Sequence, residues 1–204
     1  MKQQFVETIK IKNGKALALP YHQARMERTI SYLVSTSLEK FICNFSFLIS
    51  NFNYLSPKPE MDLYKARVVY SEEGIEVEYT PYQMRTIRSL KVVEDDKIDY
   101  TYKSTDRSQL NALAAQKGDC DEIIIVQNGL LTDTSFTNLA LYDGNSWLTP
   151  KHPLLHGTKR AQLLEAGIIR EADLTLEDLK RAQKVSLFNA MIDFGECEVS
   201  EIIL

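Results

Sequence analysis

Asn-Gly occurs twice in this chain, at Asn13-Gly14 and Asn128-Gly129, each time beside a segment built for a strand. Both residues of that dipeptide accept positive φ at little cost, which a two-residue hairpin turn demands. Antiparallel strands are therefore expected at both places. Phe5 to Ile11 alternates apolar and polar residues before the first turn, and Ala16 to Leu19 follows it. Glu122 to Val126 is a β-branched run before the second turn, and Phe136 to Tyr142 alternates after it.

Between these strands lie helical patterns. Pro20 suits a first helical turn and opens a helix to roughly Val34, and Leu38 to Phe52 spaces its apolar residues for a second. Pro57 and Pro59 mark a loop, after which Tyr64 to Ser71 and Ile75 to Tyr79 read as strands joined across Glu72-Glu73-Gly74. Asp106 to Lys117 is a predicted helix ending near Gly118, and Asp143-Gly144-Asn145 turns the chain into Ser146 to Leu148. Thr158 to Ala166 is helical and stops at Gly167. Thr175 caps a helix through Ala182, and Val185 to Asn189 forms a last buried strand. This predicts an α+β protein, with an N-terminal lobe of helices against a sheet over residues 1–100 and a strand-rich lobe over 101–204.

Composition narrows the function classes. The net charge of −4 offers no general field for a polyanion, so no nucleic-acid partner is expected. The most apolar stretch, Phe41 to Leu55, is broken by Asn44, Ser46, Ser50, Asn51 and Asn53, so no membrane span is expected. Met1-Lys2-Gln3-Gln4 runs straight into an alternating segment without a small-residue cleavage site. Cys43, Cys120 and Cys197 are scattered and form no CxxC pair, as in a chain kept in a reducing cytoplasm. His152 and His156 stand four apart, but Pro153 between them and the lack of a nearby glutamate or cysteine argue for a loop, so no metal is expected.

Two local features carry chemistry. Gly157-Thr158-Lys159-Arg160 begins a helix, and the free N–H groups and positive dipole end of a helix start suit a phosphate. Lys103 sits where alternating Tyr100-Thr101-Tyr102 gives way to Ser104-Thr105-Asp106-Arg107, a setting in which a lysine can be held at a cleft as a Schiff-base amine. Either alone has an ordinary reading, since most helix starts bind nothing and most lysines in connections are solvated.

The ordered set is more specific. Val6-Glu7-Thr8-Ile9, Asn13-Gly14, His22-x-x-Arg25-Met26, Arg67-Val68-Val69 ahead of Gly74, and Lys103-Ser-Thr-Asp-Arg107 come first. Asp121-Glu122-Ile-Ile-Ile, Asn128-Gly129 and Thr132-Asp133-Thr-Ser-Phe-Thr-Asn138-Leu139 follow, then Leu148-Thr149-Pro150, Leu155-x-Gly157-Thr-Lys-Arg160 and Phe188-Asn189-Ala190-Met191. Taken in order, these resemble the class IV aminotransferases, the fold-type-IV pyridoxal-phosphate enzymes, over nearly the whole chain. The resemblance implies a cofactor between the two lobes and a homodimer. It implies Lys103 as Schiff-base lysine and proton shuttle, with Arg25 and the backbone amides of Thr158 and Lys159 on the cofactor phosphate. Asn189 and Ala190 stand at its last phosphate contact, and Asp133 where the family has a glutamate beside the pyridine nitrogen. A segment that usually precedes the first motif is absent, and the aspartate is one methylene shorter than the glutamate.

Within that family the Lys-x-x-Asp-Arg form, the Asn189-Ala190 pair and Thr8 at the position linked to lyase proton transfer favour 4-amino-4-deoxychorismate lyase, which makes 4-aminobenzoate and pyruvate for folate synthesis. An aminotransferase for D- or branched-chain amino acids is the alternative on the same small-molecule amino chemistry. A descendant that binds cofactor or a partner without turnover is the alternative from another class.

Overall fold

The computed structural model describes residues 3–33, 63–71 and 73–204, so the helix expected over Leu38 to Phe52, the Pro57–Pro59 loop and Cys43 lie outside the described residues. The chain forms two compact units, one of Met1–Met84 with Tyr102–Asp106, the other of Arg85–Thr101 with Arg107–Leu204. The composition-based boundary near residue 100 differs from this division, because residues 85–101 supply a strand to the second unit.

In the first unit, β1 (Phe5–Lys12) pairs antiparallel with β2 (Lys15–Ala16) and with β3 (Leu63–Ser71), and β3 pairs with β4 (Gly74–Pro81). Asn13 and Gly14 both adopt positive φ, 50° and 73°, as the hairpin turn requires. The odd positions of β1, Phe5, Ile9 and Ile11, pack with Met26 and Ile30 of helix α1 (Leu19–Leu33) and with Tyr64, Ala66, Val68 and Tyr70 of β3. Glu7 falls on that same core-facing side and is fully buried. Alternation thus sends a carboxylate into the core, a burial that demands partners.

The second unit holds two sheets. One is ordered β13-β5-β6-β7, with β5 (Ser89–Glu94), β6 (Glu122–Gln127), β7 (Leu130–Thr134) and β13 (Glu201–Ile203). The other is β10-β9-β8-β11-β12, built from β8 (Asn138–Tyr142), β9 (Trp147–Pro150), β10 (Ile169–Ala172), β11 (Lys184–Phe188) and β12 (Glu198–Val199). Leu90, Ile124, Val126 and Leu131 of the first sheet share one core with Leu139, Leu141, Val185 and Leu187 of the second. The opposite face of β6, through Ile123 and Ile125, packs on Leu110 and Leu113 of α2 (Ser108–Ala114). β6 is therefore covered on both faces, which explains its unbroken β-branched run. Helix α3 (Thr158–Glu165) inserts Leu163 against Ala140, Ile169 and Phe188 on the far side of the five-stranded sheet. Helix α4 (Leu176–Arg181) begins at Thr175 with a reciprocal capping box to Asp178.

The α+β expectation agrees with this architecture. Sequence reading differs in the second hairpin: the partner of β6 is Leu130–Thr134, and the alternating segment after it belongs to the other sheet. Helix α2 starts at Ser108, two residues later than expected, and continues as a 3₁₀ turn over Ala115–Lys117.

Candidate active site

Each unit carries part of the expected site. In the first, Lys103 is fastened to the start of β1 through the backbone. Val6 N donates to Lys103 O at 2.9 Å, Thr105 N donates to Gln4 O at 2.9 Å, and Phe5 and Ser104 form an antiparallel bridge. Tyr102, just before the lysine, stacks on Tyr32 at 4.4 Å and meets Phe5 edge-on at 6.4 Å. This register sets Lys103 opposite Val6, and Thr8 lies two residues along the same face of β1, across from Arg67 of β3. Both Lys103 and Thr8 are half-buried.

On the other face of β1, Glu7 gathers two side chains from successive turns of α1. Arg25 donates through Nε to Oε1 at 2.8 Å and through Nη2 to Oε2 at 2.5 Å, while His22 Nδ1 lies 2.6 Å from Oε2. His22 and Arg25 are three apart, so one helix face presents both. Burial by itself would raise the Glu7 carboxyl, but the Arg25 charge and the hydrogen bonds from His22 and Arg25 hold it down at about 2. Burial pushes His22 downward, and although Glu7 draws it up, the Arg25 and Lys103 charges reinforce the lowering. The ring is therefore neutral, with its proton on Nδ1 toward the carboxylate and Nε2 buried without a partner. Arg25, expected on a phosphate, is thus a guanidinium whose plane is set by a bidentate carboxylate.

In the second unit, the turn between β7 and β8 brings Asp133 and Asn138 together. Thr134 Oγ1 accepts from Thr137 N at 2.9 Å and lies 2.7 Å from Thr137 Oγ1, which closes the turn. Asp133 accepts from Asn138 Nδ2 at 2.7 Å and from Leu155 N at 2.8 Å. Burial pushes its carboxyl up to about 7, against the lowering effects of those two hydrogen bonds and of the Arg160 charge.

Leu155 leads to Gly157, the residue before α3. Gly157 brings no side-chain cap, so the amides of the first turn are not taken by one. The Lys159 ammonium pairs with Asp193 at 2.6 Å, and Arg160 donates to Pro150 O at 2.8 Å and to Glu171 at 2.7 Å. The phosphate contacts expected here are the backbone amides of Thr158 and Lys159, and the two basic side chains beside them are engaged with other groups. Asn189 spends its side chain on its own turn, accepting from Met191 N and Ile192 N at 2.8 and 3.0 Å and donating to Phe136 O at 3.2 Å. His152 lies 3.5 Å from Asp173 on an exposed loop.

Sequence reasoning passed over three residues. Glu7 carried a usable signal, a charge at a core-facing position of an alternating strand. His22 showed only as part of a motif. Asn138 likewise showed only as part of a motif, because its hydrogen bond to Leu155 depends on a loop seventeen residues away.

The sequence pattern of amino-transferase class IV matches residues 4–198. An uncharacterized protein of Haemophilus influenzae is 37% identical over 185 residues, which span 91% of this chain and 96% of its own. A Schizosaccharomyces pombe protein provisionally named an aminodeoxychorismate lyase is 36% identical over 87 residues, 40% of this chain and 38% of that one. Among solved structures, a Haemophilus somnus protein provisionally named a 4-amino-4-deoxychorismate lyase is 36% identical, with a TM-score of 0.85 over 94% of this chain and 97% of its own. A hypothetical aminotransferase of Mycobacterium tuberculosis in its PLP-bound form shares the fold, with 16% identity and a TM-score of 0.79 over 98% of this chain and 81% of its own. This chain belongs to the class IV aminotransferase family. It is a pyridoxal-phosphate-dependent enzyme, aminotransferase or lyase in kind.

The residues present suit that cofactor. A buried carboxyl held by neutral partners, as Asp133 is, is completed by a cation such as a protonated pyridine. A glycine-led helix start offers amides to a dianionic phosphate.

Proposed function

We propose that this protein is a 4-amino-4-deoxychorismate lyase that releases 4-aminobenzoate and pyruvate, acting as a cytoplasmic homodimer. The observation that carries the reading is the near full-length likeness, at 36% identity, to the Haemophilus somnus protein provisionally named for that activity. Thr8 supports it from the site. Thr8 stands on the β1 face that Lys103 joins by register, which supports a part for its hydroxyl in placing a proton during elimination.

Bound pyridoxal phosphate supplies an aldehyde that condenses with the substrate amine and a ring that stores the electron pair released at the amine-bearing carbon. Lys103 would hold the cofactor through Nζ, and the same amine would take the proton from that carbon. Thr8 orients this proton toward the departing enolpyruvyl group as its carbon–oxygen bond breaks and the carbocycle becomes aromatic. Asp133 would serve as the carboxylate that keeps a pyridine nitrogen protonated. The Thr158 and Lys159 amides and Ala190 beside Asn189 would hold the phosphate, a role for which the family resemblance also names Arg25, whose plane is set by Glu7.

The test is product analysis after mixing the protein, pyridoxal phosphate and 4-amino-4-deoxychorismate, beside a parallel assay with D- or branched-chain amino acids and a keto acid. Aminobenzoate with equimolar pyruvate is the expected result. Amino transfer to the keto acid without aminobenzoate would make the protein an aminotransferase. A cofactor-loaded protein inert in both assays would fit the non-catalytic descendant.

A further inference from the structure

The carboxyl assigned to the ring and the amides assigned to the phosphate come from chain segments more than twenty residues apart, and one side chain joins them. Asn138 donates through Nδ2 to Asp133 Oδ1 at 2.7 Å and to Leu155 O at 2.9 Å. Leu155 N in turn donates to Asp133 Oδ2 at 2.8 Å, so three groups close a ring of hydrogen bonds. On its other side Asn138 presses on the helix start. A Cβ placed at Gly157 would collide with Asn138 Oδ1 and crowd its amide carbon at 3.1 Å. Asn138 has little room to give way, being buried and held at its amide nitrogen by two acceptors. The Gly157 carbonyl then accepts from Ala161 N at 3.0 Å, which carries the position into the first turn of α3.

We propose that Asn138 is a positioning residue that locks the Asp133 carboxyl to the Leu155–Gly157 approach of α3, so that the acid for the pyridine nitrogen and the amides for the phosphate form one rigid assembly. The proposal rests on the cofactor reading above, but the hydrogen-bonded ring exists without the cofactor and is measurable without it. It also gives Gly157 a reason: the space of a side chain there is taken by the Asn138 carboxamide. The shorter acid at position 133 gains its reach in the same way, since Asn138 and Leu155 N together settle where the carboxyl points.

The test uses the full-length apoprotein with ¹³C-labelled aspartate carboxyls. The Asp133 resonance is identified by its loss in Asp133→Asn, and its titration midpoint is then compared across variants. Asn138→Ala removes one charge-assisted hydrogen bond and is expected to raise the midpoint by about one pH unit. Asn138→Asp keeps the size but sets a second carboxyl beside the first, and a larger rise is expected. Gly157→Ala touches Asp133 nowhere, yet is expected to move the midpoint upward by displacing the Asn138 carboxamide. Pyridoxal-phosphate affinity, by equilibrium dialysis, should fall roughly tenfold or more in all three. Midpoints within about 0.2 pH unit of the parent in both Asn138→Asp and Gly157→Ala would overturn the proposal, whether or not Asn138→Ala folds. A parent protein that takes up no pyridoxal phosphate would sink the cofactor assignment of this site and leave the titration to decide the role of Asn138.

Discussion

Three buried ionisable groups behave in opposite ways with pH. Glu7 sits at about 2 against an ordinary 4.5, so its stabilisation is full above the ordinary value and is lost as pH falls toward 2. His22 is lowered and stays neutral in the fold, so the unfolded chain gains protons first below pH 6.5 and stability falls there as well. Asp133 is raised to about 7 from 3.8, so the unfolded chain releases its proton first and the apoprotein loses stability as pH rises between those values. Glu7→Gln should cost roughly 3 kcal/mol at neutral pH and flatten the acid side of the stability profile. Asp133→Asn should instead remove the loss of stability with rising pH between about 4 and 7, and urea unfolding midpoints from pH 2 to 7, each compared with the parent at the same pH, check both. A profile that neither Glu7→Gln nor Asp133→Asn changes relative to the parent would contradict these environments. Thr8→Val belongs to the same scale, since it keeps the β-branched shape and removes only the hydroxyl. Aminobenzoate formation should fall ~10²-fold while thermal stability barely moves. Unchanged turnover in Thr8→Val would leave Thr8 as a packing residue of β1.

Among the elements, those whose cause is local were legible. Asn128 and Gly129 take φ of 51° and 76°, as an Asn-Gly hairpin turn requires, and Gly167 ends α3 with φ 66°. Thr175 accepts from Asp178 N at 3.3 Å, the cap expected of it, and Asp178 accepts in return from Thr175 N at 2.8 Å. Thr175→Ala should cost about 1 kcal/mol, read as a drop in Tm of a few degrees. A Tm unchanged within error would mean that packing of Leu179 alone holds the helix. Of the elements that sequence reading missed, β10, β12 and β13 are short edge strands whose buried face is too brief to write a period, while β5 lies inside its sheet but buries only Leu90 and Val93, without strict alternation.

The division of the whole molecule was the least legible feature. β5 pairs in parallel with both β6 and β13, partners distant in sequence, and Leu90 near its start is fully buried. A fragment of residues 101–204 would leave β6 with an open edge and remove Leu90 and Ile87 from the core, so it should not unfold cooperatively on heating. A fragment of residues 85–204 retains that strand and should give a sigmoidal transition by circular dichroism. Cooperative unfolding of the shorter fragment would show that β5 is dispensable to the second unit. The sequence by itself determined the turns, the helix stops, the alternation of individual strands and the order of the motifs, since each arises from residues within a few positions of one another. Only the tertiary structure decided that Glu7 is buried against His22 and Arg25, that β5 joins the second unit, and that Asn138 reaches Leu155. Those outcomes depend on which distant segments exclude water from a shared core, and a buried charge or amide acquires its partners only when that core closes around it.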